Sequence, residues 1–189
     1  MGAADFNTGA LIKGTQEDIM AVLNVFKTYS TTKHDQYAKE RNCAYLQSCY
    51  ISYDGENGLG TRLDSMSEED LAKFIEAHDN SVIVSASGPY GRFGFLSEVN
   101  LFKEAAEAAP KATISGGMSG FNPGGDQIAA FELKDGLMTC KYCEGEEFED
   151  DFDEDEEDWD DEDDEDFEEP DWDYEEIYDP VKKKIVKQP

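Results

Sequence analysis

Four cysteines stand at positions 43, 49, 140 and 143. Cys140-Lys-Tyr-Cys143 has the two-residue gap of a metal knuckle, and Cys43 with Cys49 would complete a tetrahedral zinc set if their strands met. The Cys43–Cys49 gap is too long for a second knuckle, and on an extended strand Cys140 and Cys143 point to opposite faces. Isolated core or surface thiols are the plainer reading. A thioredoxin-type redox pair needs a strand-to-helix junction, whereas residues 140–143 run into an acidic stretch. Gly116-Gly117 and Gly124-Gly125 flank Ser119 and Phe121, but no Gly-Lys-Ser/Thr follows, so a hairpin loop is expected there rather than a phosphate cradle. His34 falls in a polar loop and His78 at a helix end, where an imidazole meets the late carbonyls. Glu68, Glu69 and Asp70 are first-turn helix acids favoured by the dipole, and no EF-hand loop is present. No catalytic residue, cofactor or resident metal is expected.

The residues whose pattern does suggest chemistry lie further on. From Glu144 to Asp179 there are 26 acids in 36 residues and no Lys or Arg, within a chain of 189 residues and formal charge −29. Residues 1–143 hold 19 acids and 12 bases, so the body is only mildly acidic. Such a run cannot bury a core, and its like charges resist compaction. Large rings are interleaved through it: Phe148, Phe152, Trp159, Phe167, Trp172, Tyr174 and Tyr178, with Ile177. Side chains of that size add nothing to mere solvation. They suit a segment that docks on a basic surface, with Asp155, Glu156, Asp161 and Asp163 among the carboxylates that pair Lys/Arg and rings that stack on guanidinium.

The spacing of these charges is close to that of nucleic acid. A helical form of the 36 residues would span about 54 Å with one charge per roughly 2 Å. Duplex DNA carries one per about 1.7 Å, and the same length covers about 16 base pairs. An extended form is about half as dense, and Asp-rich sequence favours it. The lysines at 182, 183, 184 and 187, and the loop bearing Lys33, Lys39 and Arg41, are the intramolecular cations able to fold back on the acids.

The elements that precede this run must be ordered so as to present it. Residues 5–14 read as a short strand ending at a glycine turn. Thr15 and Asp18 form a capping-box pattern, after which Ile19, Val22, Leu23 and Phe26 make one apolar stripe. Residues 30–42 read as a polar loop. Cys43 to Asp54 reads as a strand with aromatics on both faces, hence central. After a Gly-rich loop Ser67 opens a second helix with Leu71, Phe74 and Ile75 inward. Residues 81–87 are a Val/Ile-rich strand, 88–94 a loop, and Ser97–Ala109 a third helix stopped by Pro110. Then come a strand at 112–115, a Gly-rich loop at 116–125, and two strands at 127–133 and 137–142 joined by an Asp-Gly hairpin turn. The expected fold class is α+β: a mixed or antiparallel sheet with helices on one face, plus an acidic C-terminal tail. The expected organisation is a body at 1–143, an acidic-aromatic tail at 144–180, disordered or ordered on binding, and a basic terminus at 181–189.

The stretch Ala-Ala-Pro followed by ATISGGMSGFNPGGDQIAAFELKDG, with the helix start GTQEDI, resembles small ferredoxin-like domains of plasmids, phages and other mobile elements. That resemblance implies a ferredoxin-like fold and carries over no functional residue. The tail's composition resembles DNA-mimic inhibitors of the anti-restriction and anti-CRISPR type. It implies a non-enzymatic inhibitor whose partner is the basic groove of a nucleic-acid-binding protein, such as a CRISPR or restriction effector. The alternative is an acidic chaperone-like or self-shielding tail that holds many basic proteins weakly. Direct nucleic-acid or anionic-membrane binding is disfavoured by the charge. With no apolar run near 20 residues and no signal-like start, a cytoplasmic location is expected.

Overall fold

The N-terminal strand β1 (Asp5–Lys13) is central, although the chain begins with it. In the computed structural model, which describes residues 5–30, 46, 48–53, 60–89, 95–122, 125–144 and 172–187, β1 lies between β4 (Ser81–Pro89) and β5 (Thr113–Asn122). Ala10 faces Val84 on one side and Gly116 on the other. Further strands are β2 (Ser48–Ser52), β3 (Thr61–Arg62), β6 (Gly125–Lys134), β7 (Leu137–Glu144), β8 (Tyr174–Asp179) and β9 (Lys184–Lys187). Among the described residues they make one open sheet in the order β3-β2-β4-β1-β5-β6-β7-β8-β9, with every pairing antiparallel.

One face of this sheet is buried. Thr8, Ala10 and Ile12 of β1, Val82, Val84 and Ala86 of β4, and Cys49 and Ile51 of β2 alternate inward. Ala129, Phe131 and Leu133 of β6 and Met138 and Cys140 of β7 continue the same layer. Among the described residues three helices supply the other half of the core: α1 (Gln16–Tyr29), α2 (Glu68–Ala77) and α3 (Phe95–Ala108). The capping box forms as Thr15 and Asp18 predict, and Ser67 caps α2 by accepting from the Asp70 amide. Phe102 of α3 joins the layers, edge-on to Phe26 of α1 with ring centroids 5.9 Å apart and stacked on Phe131 of β6 at 4.1 Å.

The ferredoxin-like expectation is overturned. A ferredoxin-like domain has a few strands, and here, among the described residues, nine run antiparallel in one sheet with three helices. Two physical reasons account for the difference. First, the Gly-rich segment expected as a loop at 116–125 is mostly strand, continuous in β5 to Asn122 and paired on both sides. Its glycines serve close approach: a Cβ on Gly116 would lie 2.4 Å from the Gly9 carbonyl oxygen and 2.7 Å from the Ala10 Cβ. Second, two strands lie beyond residue 172. The Asp135-Gly136 turn does form, with φ of 52° and 77°. The segment read as a central strand, β2, is next to the edge.

The opposite face of the sheet carries a polar patch. Asn7, Ser48, Tyr50, Ser52, Ser85 and Ser87 line a shallow depression of about 310 Å³, with the Ser48 and Ser87 hydroxyls 2.6 Å apart. No helix among the described residues is long and apolar enough to cross a membrane.

Candidate functional site

The acidic run leaves the sheet at Glu144, the last residue of β7, and the chain re-enters it through Trp172 into β8. β7 and β8 are neighbours, with Tyr142 opposite Tyr174, Cys140 opposite Glu176 and Met138 opposite Tyr178. The residues between, 145–171, contain 21 acids in 27 positions with Phe148, Phe152, Trp159 and Phe167. They therefore connect two adjacent strands instead of ending the chain. The hairpin that follows, residues 172–187, holds four acids and four lysines and is electrically neutral.

Trp172, Tyr174 and Tyr178, expected as partner-binding rings, are built into the body. Phe148, Phe152, Asp155, Glu156, Trp159, Asp161, Asp163 and Phe167 lie outside the described residues. Tyr174, Glu176 and Tyr178 share the inner face of β8. The Tyr174 hydroxyl donates to Glu176 Oε2 at 2.8 Å. The Lys103 ammonium on α3 makes an ion pair with Glu176 Oε1 and lies 5.0 Å from the centre of the Tyr178 ring. Tyr178 donates its phenol to Glu107 Oε1, one turn further along α3, and Lys183 Nζ is 2.6 Å from Glu107 Oε2. Helix α3 thus grips the closing hairpin at its strand and at its turn.

The electrostatics follow from these partners. Burial works against the charge of Glu107, but the hydrogen bonds from Lys183 and Tyr178, with the charge of Lys183 and Lys103, hold its carboxyl below the ordinary range. Burial, and then Glu107, push the Tyr178 phenol up. Asp179 is held low by the Lys182 ammonium, 2.9 Å away, and by the amides of Lys182 and Val181. On the outer face Lys141 Nζ lies 5.7 Å from the centre of the Trp172 ring, beside a depression of about 270 Å³ bordered by Ser115, Glu132 and Thr139. Lys103, Glu107 and Lys183 carry this anchoring and were not singled out as anchors by sequence reasoning. Of the folding-back lysines, Lys182 does meet a nearby acid, while Lys183 meets the helix.

The four-cysteine zinc reading meets a geometric obstacle. Cys49 on β2 and Cys140 on β7 are five strand spacings apart, about 24 Å at 4.8 Å each, far beyond a shared ion. Burial pushes the thiols of Cys49 and Cys140 up to about 12, and also raises Cys143. Cys43 and His34 lie outside the described residues. The His78 ring stacks on Tyr53, 4.0 Å between centroids, and its backbone caps α2. Among the described residues no group of three His, Cys, Asp or Glu side chains converges as metal ligands do. The arrangement ties the two flanks of a dense acidic segment to neighbouring strands of one sheet. Comparison with known proteins finds no matching family, no similar curated protein and no similar solved structure.

Proposed function

We propose that the chain is a non-enzymatic binding protein whose acidic-aromatic segment takes the place of nucleic acid in the basic groove of a nucleic-acid-binding protein. The observation that carries this reading is that 21 acids in 27 residues join two adjacent strands. Neighbouring strands lie about 5 Å apart, so the segment leaves and returns at nearly one point. Drawn out to full reach it is two arms of about 13 residues, some 45 Å long at 3.4 Å per residue. Its charges then fall one per roughly 2 Å of that axis, close to the 1.7 Å of duplex DNA. A single extended strand would reach only half that density. Closure recovers the spacing without a helix that Asp-rich sequence forms poorly. Phe148, Phe152, Trp159 and Phe167 are the anchoring rings, pairing with Arg faces or apolar pockets once the carboxylates have docked.

The test is affinity capture from the lysate of the source cells at about 0.1 M salt, a range in which phosphate-like contacts persist. Three baits are compared: the full chain, a variant with 145–171 replaced by Asn-Gly, and F148A/F152A/W159A/F167A. One dominant nucleic-acid-binding protein, held by the full chain, released by duplex DNA and lost from the Asn-Gly variant, is the expected result. The ring variant should bind more weakly at unchanged charge. Many basic proteins captured weakly, or identical captures by the first two baits, would refute mimicry and favour the acidic chaperone.

A further inference from the structure

The geometry points to the free edge of β9 as a strand-addition site for an acidic extended segment of a separate polypeptide. This rests on a different surface from the proposed mimicry and on the opposite charge. β9 ends the sheet order, so among the described residues no strand takes up the amides and carbonyls on one side of its backbone. Lys184, Ile185, Val186 and Lys187 are all exposed, Ile185 at 41% and Val186 at 46%, and Val181 in the preceding turn is exposed at 72%. The opposite edge, β3, is only two residues long and offers little to a partner.

Charge selects the occupant. Lys182 and Lys183 are engaged by Asp179 and Glu107. Lys184 and Lys187 have no carboxylate partner among the described residues. A second copy of β9 laid antiparallel beside the first would bring lysines together at both ends of the contact, and like charges set against one another are destabilising. The edge lysines guard against self-association, as edge lysines commonly do. The same lysines attract a strand of the pattern acid-apolar-apolar-acid. β9 is bulged here, with Ile185 opposite Tyr178 and Lys187 opposite Ile177, so Val186 is the extra residue. The partner's carboxylates meet Lys184 and Lys187 at the two ends, its apolar pair covers Ile185 and Val186, and the backbone ladder continues on either side of the bulge.

The probe is a labelled acetyl-Ser-Glu-Val-Ile-Glu-Ser-amide peptide, titrated against the full chain by fluorescence anisotropy at low salt. Saturable one-to-one binding is expected, with a Lys-Val-Ile-Lys counterpart failing to bind. Backbone N-methylation of the probe at the two positions that would donate to β9 keeps every charge and should weaken binding about tenfold or more. The double variant K184E/K187E should lose the acidic probe and gain the lysine one. Equal binding of the N-methylated probe would overturn strand addition, because charge alone would then suffice. Absence of saturable binding by the parent probe would overturn the site altogether.

Discussion

Replacing residues 145–171 with Asn-Gly should make the protein more stable. The replacement keeps register, because Tyr142 pairs with Tyr174, and Cys143 with Asp173 and Glu144 with Trp172 then continue the ladder into a two-residue turn. Shortening the connection from 27 residues to two lowers the closure entropy by about 2 kcal/mol. For a domain of this size that raises Tm by roughly 4–8 °C. Formal charge changes from −29 to −8, which relieves repulsion further at low salt. Urea unfolding of both proteins at about 0.05 M and about 0.5 M salt separates the two contributions, since screening removes the charge effect and leaves the entropy. Stabilisation that shrinks with salt toward about 2 kcal/mol is the expected outcome. Destabilisation at high salt would refute the reasoning, because the sheet would then depend on contacts that the acidic segment supplies. A simple truncation after Cys143 is the poorer experiment, since it also strips β8 and β9 and bares the edge of β7.

Gly116→Ala should lose about 1–3 kcal/mol in urea unfolding, because its Cβ meets backbone on β1. Gly117→Ala, whose Cβ comes only to 3.0 Å from the Ala129 carbonyl oxygen, should lose less. Cys49 and Cys140 should resist an aromatic disulfide reagent at about pH 8 in the native protein and react on unfolding, because burial pushes both thiols up to about 12. Glu107 has its folded pKa below the ordinary 4.5, so the unfolded chain binds its proton first. Its stabilisation is therefore full above about pH 4.5 and is lost as pH falls through that value toward the folded pKa. The stability gap between the parent protein and E107Q should be widest near neutrality and should close in acid. A gap independent of pH would deny the carboxylate its role on Lys183 and Tyr178.

The first 140 residues disclose much of their local structure, because their signals are local. Thr15 with Asp18, Ser67, Pro110 and Asp135-Gly136 each mark a boundary within a few residues of chain, and the stripe Ile19, Val22, Leu23, Phe26 marks a buried face. Glycine was the first obstacle: at 116 it permits contact between strands, yet its type alone suggests a turn. The second was Tyr174–Asp179. Its alternation places Tyr174, Glu176 and Tyr178 on one face, but Glu176 reads as solvent-facing until Lys103 is brought beside it, 73 positions away in the chain. The strand-forming Tyr174, Ile177 and Tyr178 and the Asp-Pro turn that follows them were the available signal. Surrounding acids obscured it, because a charge count averages over the few apolar residues among them.

The position of β1 has a consequence for biosynthesis. Its first strand partner begins at Ser81 and its second at Thr113, where Lys13 meets Thr113 across 100 residues of chain. At 5–20 residues per second the nascent chain carries this inner strand for about 5–20 s before both neighbours exist. Until β4 is made, Ala10, Leu11 and Ile12 lack both strand partners, and the helix that follows them or a chaperone can cover them. Strands β5 to β9, by contrast, each pair with the one just made, so the sheet grows outward on that side in the order of translation. Slowing elongation between residues 13 and 113 should therefore raise aggregation of the nascent chain, while slowing it after residue 144 should not.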